Sequence, residues 1–250
     1  MNSHSARPWP YPRWVAHRGA GTLAPENTLA AFRKGAEHGY RMFECDAKLS
    51  ADDVVFLMHD ATLHRTTTGH GIGGDQSWHQ LSQLDAGSWH SRNFSGEPLP
   101  TLANVAQFCI RNRYFLNIEI KPTPGIEYKT GEVVAREAAQ IWQHEAVQPL
   151  LTSFQVDALK GAFKEAPHLP RGLLLSSLTE GWLNTAQSLE CCAVVCFYAL
   201  WTPETVKAVH DAGMRCLSYT VNDEWVAEHL LQLGTDGIIT DRVDAFSPSA

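Results

Sequence analysis

Short apolar runs alternate with longer stretches of helical period along almost the whole chain. The apolar runs at 14–16, 41–44, 115–119, 150–152, 172–175, 193–196, 216–220 and 237–240 read as strands. Between them, residues 27–38, 102–112, 131–144, 155–165, 179–189, 203–212 and 223–233 read as helices. In the first helix Leu29, Ala30, Phe32 and Ala36 fall on one side. Gly39, Gly213 and Gly234 stop their helices, where a left-handed cap is expected. This alternation over 250 residues predicts one α/β domain spanning 1–250, a (β/α)8 TIM barrel. A doubly wound open sheet is the alternative. No G-x-G-x-x-G follows the first strand, which weakens its dinucleotide-binding form.

One link breaks the rhythm. The second strand is expected to end near Asp46, yet the next helix begins near Leu102. Connections in α/β units usually take about 2–6 residues. Residues 47–100 therefore predict a small inserted subdomain after the second strand, with Val54-Val55-Phe56-Leu57-Met58 as a strand of its own. It leaves from the C-terminal end of a strand, the catalytic face of such barrels. His59, at the end of that run, is thereby placed near the face that carries Glu44.

The strand pattern puts polar residues in unusual places. Glu44 and Asp46 are two apart on a strand and point to the same side. Facing a barrel lumen, two carboxylates so close repel unless a cation or a proton sits between them. On the third strand Asn117, Glu119 and Lys121 share one face, and Ile118 and Ile120 the other. A polar inward face on a buried parallel strand is wrong for a core and right for a site. Glu44, Asp46 and Glu119 are candidate cation ligands, and hard oxygen donors favour Mg²⁺ or Ca²⁺ over zinc. Arg18 and Lys121 are candidate anion contacts. His17, beside Arg18, suits proton transfer near neutrality. By its sequence setting, His59 reads equally as a proton carrier or as a merely hydrogen-bonded residue. Together these are the parts for metal-assisted cleavage of a phosphate ester.

Composition narrows the partners. The chain is 44% hydrophobic and 19% charged, as in a soluble globular protein. At this length roughly three quarters of the unfolded surface can be buried, so the core needs no staples. A net charge of −7 argues against nucleic acid and against docking on an anionic membrane. A locally positive pocket still admits an anionic substrate. The opening stretch MNSHSARPWPYPRW has no apolar h-region, and no run reaches the length of a membrane span. The six cysteines include no C-x-x-C pair and lie mostly in apolar runs, so free buried thiols are expected. Reduced thiols fit a cytoplasmic protein. His64, His70, His79 and His90 lack ligand spacing, no H-E-x-x-H occurs, and Thr66–Gly74 lacks the ending of a P-loop.

At these residues the chain resembles the glycerophosphodiester phosphodiesterase family. The match includes HRG at 17–19, APENT at 24–28, Glu44-x-Asp46 and His59-Asp60, then EIKP at 119–122, TSF at 152–154, YTVN at 219–222 and ITDR at 239–242. It spans nearly the whole chain in order and is most similar to the short cytosolic bacterial enzymes. The resemblance implies a TIM barrel with an insertion after its second strand. It implies hydrolysis of glycerophosphocholine, glycerophosphoethanolamine or similar diesters to sn-glycerol 3-phosphate and an alcohol. It implies Mg²⁺ or Ca²⁺ on Glu44, Asp46 and Glu119, and phosphate contacts from Arg18 and Lys121. It raises His59 to the partner of His17 in an acid/base pair. We assign His17 as base and His59 as acid, an order the sequence leaves open. Many relatives carry Trp where this chain has Tyr219, so an aromatic wall is kept and the alcohol preference is open. Phe154, Tyr198 and Leu175 follow later strands and are placed along the pocket by that position alone. A phospholipase of the phosphoinositide or sphingomyelinase D type is the rival hydrolase, and the chain shows no obvious apolar anchors for it. A catalytically silent barrel would be expected to lack a ligand or a histidine, and none is missing. Association into a homodimer stays open.

Overall fold

The structure, a computed structural model, describes residues 9–248; the first part of the opening stretch read for targeting lies outside them. The strands are β1 (Trp14–Ala16), β2 (Met42–Leu49), β3 (Val55–Leu57), β4 (Phe115–Ile120), β5 (Leu150–Ser153), β6 (Arg171–Leu175), β7 (Ala193–Phe197), β8 (Arg215–Tyr219) and β9 (Gly237–Thr240). Parallel pairing runs β1-β2-β4-β5-β6-β7-β8-β9, and β9 pairs back with β1. Eight parallel strands thus close a TIM barrel, and the open-sheet alternative is excluded. β3 lies antiparallel on the end of β2, with Ala47 opposite Leu57 and Leu49 opposite Val55.

The helices are α1 (Leu29–Glu37), α2 (Trp78–Leu81), α3 (Leu102–Asn112), α4 (Glu127–Ile141), α5 (Val156–Glu165), α6 (Trp182–Ser188), α7 (Pro203–Asp211) and α8 (Glu224–Leu233). Their starts follow local chemistry. Thr28, Thr101 and Thr202 each accept from the third helical N–H, and Pro203 opens α7. Gly39 follows α1 at φ 89°, in the left-handed region expected of a helix stop.

Strand parity separates two cores. On β2, Phe43, Cys45 and Ala47 face the helices, while Met42 turns into the lumen with Val15, Leu150, Leu174, Val195, Leu217 and Ile239. Tyr11 joins the lumen cluster. The insertion has a third core of Phe56, Met58, Leu63, Leu81, Ala86 and Leu99. No disulfide is formed among the described residues.

Several boundaries differ from the sequence reading, and two of the shifts have a clear cause. β2 runs on to Leu49 because β3 supplies a hydrogen-bonding partner past the barrel rim, so the insertion starts near residue 50 and not 47. α4 begins at Glu127, four residues before Gly131. Gly131 is not a boundary but a crossing point. A β-carbon there would lie 1.9 Å from the Ala158 carbonyl oxygen, and one at Gly161 would lie 2.2 Å from that of Tyr128. The α4–α5 pair therefore packs backbone against backbone. Gly131→Ala is expected to force the two helices apart at a cost of about 1–3 kcal/mol, read as a lower denaturation midpoint. An unchanged midpoint would refute the close crossing.

Candidate active site

The acidic centre is built by β2 and β4 side by side. Their register sets Glu44 beside Asn117 and Asp46 beside Glu119. Carboxylate oxygens of Glu44, Asp46 and Glu119 lie within 4.8 Å of one another. All three residues are largely removed from water, Asp46 almost completely. Such a cluster needs positive charge close by. Lys121 Nζ is 2.9 Å from Glu119 Oε1 and 3.6 Å from Asp46 Oδ1. Arg18 Nε is 3.4 Å from Asp46 Oδ2, and its Nη1 donates to Glu26 Oε1 at 3.0 Å.

The turn after β1 is shaped for this centre. Arg18 has φ 50° and Asn27 φ 59°, a left-handed backbone that costs a non-glycine residue about 1–2 kcal/mol. The Arg18 conformation accompanies a bond from its backbone N–H to Glu44 Oε2 at 2.9 Å. Asn27 donates through Nδ2 to Asp46 Oδ2 at 2.8 Å and accepts from the Asp46 N–H at 3.0 Å. On the same face of β2, buried Lys48 donates to the Lys121 carbonyl at 2.9 Å and ties the ends of β2 and β4 together.

Both histidines are backed by carboxylates. His17 Nδ1 lies 2.6 Å from Asp241 Oδ1, and its Nε2 is 3.8 Å from Glu44 Oε2. Asp241 is itself fixed by Asn222, which donates through Nδ2 and accepts from the Asp241 N–H. His59 Nδ1 lies 2.8 Å from Asp60 Oδ1. The Met58 N–H donates to the Asp46 carbonyl at 2.9 Å, which brings His59 to the acidic centre. An Nδ1 facing a carboxylate carries a proton, so each ring turns Nε2 to the site, as an acceptor when neutral and a donor when the ring is protonated.

The remaining wall is apolar. A cavity of about 30 Å³ is lined by His17, Glu44, Asn117 and Glu119 on one side and by Phe154, Leu174, Tyr219 and Ile239 on the other. Phe154 and Tyr219 meet edge to face at 5.6 Å, and the Tyr219 hydroxyl donates to the Leu175 carbonyl at 3.1 Å. Tyr198 and Leu175 do not join this wall. Lumen positions alternate, so Phe197 and Leu174 face inward while Tyr198 and Leu175 pack on the helix side. Phe197 lies 6.4 Å from the Tyr219 ring and carries the aromatic wall to the mouth. Larger hollows open at the other end of the barrel around Trp9, Tyr11 and Arg215, and no site residue lines them.

The family model described as glycerophosphoryl diester phosphodiesterase matches residues 17–245. The chain belongs to this family. A glycerophosphodiester phosphodiesterase of Caldanaerobacter subterraneus subsp. tengcongensis is 35% identical over 232 residues, 91% of this chain and 93% of that protein. One from Bacillus subtilis is 28% identical over 247 residues, 93% of this chain and 84% of that protein. An Oleispira antarctica phosphodiesterase, solved with its product sn-glycerol-3-phosphate, matches with a TM-score of 0.86 at 31% identity, covering 92% of this chain and 93% of that one. The protein is thus an enzyme, a glycerophosphodiester phosphodiesterase by family.

The acidic centre of this enzyme suits a divalent cation. Glu44 Oε1 is buried without a hydrogen-bond partner among the described residues, and two further carboxylates face it. Burial pushes Glu44 up to about 8, and the Asp46 charge adds to this. Burial would raise Asp46 as well, but Arg18 and Lys121 hold it down at about 2. Glu119 is raised by burial and by Asp46, against Lys121. Burial would lower His17, but the Asp241 bond and the Glu44 charge outweigh it and raise the group. His59 is lowered, first by burial, with Arg18 and Lys121 adding and Asp46 and Asp60 opposing. Asp60 is held well below the usual carboxylate range, chiefly by its bond from Arg65.

Asp241, Asn222, Asn27, Glu26 and Asp60 had no role in the sequence reading, although each lies within or beside a matched motif. The signal available was that each is a carboxylate or amide at a strand end or turn. Exposed apolar side chains are also present, contrary to the sequence reading. Trp225, at the start of α8, is 71% exposed.

A proton must leave Glu44 before it can hold a cation. Uptake of a divalent cation should therefore strengthen as pH rises toward about 8 and weaken below neutrality. Between the ordinary carboxylate range and about 8 the folded metal-free protein holds more protons than the unfolded chain, so its stability should fall as pH rises through that window. Calorimetric titration in buffers of different ionisation heat checks this by counting released protons. Proton-neutral, pH-independent uptake would contradict the burial argument.

Proposed function

We propose that barrel and insertion act as one catalytic unit that hydrolyses water-soluble glycerophosphodiesters, such as glycerophosphocholine and glycerophosphoethanolamine, to sn-glycerol 3-phosphate and an alcohol. The observation that carries this reading is one cavity edged by clustered carboxylates, with two cationic side chains and two carboxylate-backed histidines gathered at that centre. The Oleispira relative, bound to sn-glycerol-3-phosphate, supports the product. Glu44, Asp46 and Glu119 would hold Mg²⁺ or Ca²⁺. When bound, such a cation withdraws charge from the phosphate and acidifies the attacking hydroxyl.

The chain's own groups supply the rest. Arg18 and Lys121 neutralise non-bridging phosphate oxygens as negative charge builds on them. His17 takes a proton from the nucleophile through Nε2, and His59 gives one to the leaving alcohol oxygen. Asp241 and Asp60 steady the imidazolium form of each ring. The nucleophile is either water or the glycerol 2-hydroxyl, and a trapped cyclic phosphate distinguishes the second. Phe154 and Tyr219 line the side where the carbon skeleton packs. A cytoplasmic location belongs to the same reading, supported by the lack of a disulfide among the described residues; among them no helix is long and apolar enough to cross a membrane.

Chelation should abolish turnover of glycerophosphocholine and added Mg²⁺ or Ca²⁺ restore it, with Glu44→Gln inactive in either metal. Activity of Glu44→Gln without metal would overturn the ligand set. His59→Ala should lose about 10²–10⁴-fold in kcat, and this deficit should shrink with a p-nitrophenyl leaving group that needs no proton. Shrinkage with His17→Ala instead would exchange the two roles. Intact lipid in vesicles, turned over faster than the soluble diester, would favour the phospholipase reading.

A further inference from the structure

His17 directly follows a barrel strand, whereas His59 sits in the insertion, so something must aim it. Its ring bonds to Asp60, and Asp60 is held by Arg65 from the same loop. Arg65 Nε donates to Asp60 Oδ2, and Nη2 donates to Asp60 Oδ1 at 3.1 Å. The other side of the guanidinium grips Glu26, with Nη1 to Oε2 at 2.9 Å and Nη2 to Oε1 at 2.8 Å. Glu26 Oε1 also accepts from Arg18 Nη1 at 3.0 Å. A line of charge-assisted bonds thus runs His59–Asp60–Arg65–Glu26–Arg18, from the insertion back to the turn after β1.

We propose that Arg65 is a positioning residue for His59, holding both oxygens of Asp60 against the barrel through Glu26 so that the imidazole keeps Nε2 toward the substrate. The inference rests on the reading of His59 as a proton carrier. Three features support it. Asp60 follows His59 directly and sits on a loop, where a carboxylate rotates freely unless both oxygens are engaged. The planar fork of Arg can bond two carboxylates at once, which a Lys ammonium cannot match. The Arg65 side chain is 40% exposed, and exposed ion pairs add little to folding stability. Four bonds spent on so exposed a residue fit orientation better than fold stability.

The test compares wild type, Arg65→Ala, Arg65→Lys, His59→Ala and the Arg65→Ala/His59→Ala double variant, all loaded with Mg²⁺ and assayed with glycerophosphocholine. Arg65→Ala should lower kcat by about 10–100-fold with KM changed less than about threefold, since a small misplacement of a reacting group carries that penalty. Its melting temperature should stay near that of wild type. Arg65→Lys should recover only part of kcat. Added to His59→Ala, the Arg65 substitution should cost nothing further, because the group it aims is gone. A loss seen in KM, or one that adds in full to His59→Ala, would overturn the proposal and point to Arg18 or to the fold. Wild type without glycerophosphodiester turnover would overturn the functional reading instead. The imidazole nitrogen NMR spectrum then decides the inference without turnover: wild-type His59 should hold its proton on Nδ1, and Arg65→Ala should mix the tautomers. An unchanged His59 spectrum in Arg65→Ala would refute it.

Discussion

Three carboxylates brought out of water within 4.8 Å of one another repel, and the surrounding structure is arranged around that repulsion. The pairing of β2 with β4 creates the problem, because its register sets Asp46 beside Glu119. The turn after β1 answers part of it. Arg18 adopts a left-handed backbone, its N–H bonds Glu44, and its side chain reaches Asp46. Asn27, also left-handed, closes a reciprocal pair with Asp46. Lys121 supplies the second positive charge from β4. The orphan oxygen of Glu44 marks the charge that protein groups leave unmatched.

Barrel closure then divides the mouth into two sectors. β1, β2, β4 and the residues after β9 contribute His17, the carboxylates, Lys121 and Asp241. β5 to β8 contribute Phe154, Leu174, Phe197 and Tyr219. A phosphodiester is polar at phosphorus and less polar along its substituents. Under the proposed function the two sectors would admit it in a restricted set of orientations, with phosphorus toward β2 and β4. Tyr219 is anchored through its hydroxyl to the Leu175 carbonyl, so the ring presents carbon rather than oxygen to the cavity.

The period of two was the most readable signal in the chain. It placed Glu44 with Asp46, and Asn117 with Glu119 and Lys121, on inward faces, and the alternation of strands and helices gave the barrel. The same period explains why Leu175 misses the lumen, where a one-residue shift from Leu174 exchanges lumen for helix layer; Tyr198 lies one residue past β7 and packs with the helix layer beside Phe197. Gly131 is the first residue of its helix in the sequence reading, and only the Ala158 carbonyl across the crossing gives the reason for a glycine there. His59 was placed near the right face by the length of the insertion and given a role by the family resemblance. Its support through Asp60, Arg65 and Glu26, like the bond between His17 and Asp241 across 224 positions, depends on contacts that no local pattern encodes.

The insertion packs around its own small core of Phe56, Met58, Leu63, Leu81, Ala86 and Leu99, apart from the two layers of the barrel. A unit with a separate core can open without the rest of the molecule. Such sub-global opening would carry His59 away while β2 and β4 still hold Glu44, Asp46 and Glu119 together. Heat inactivation and global unfolding would then be different events.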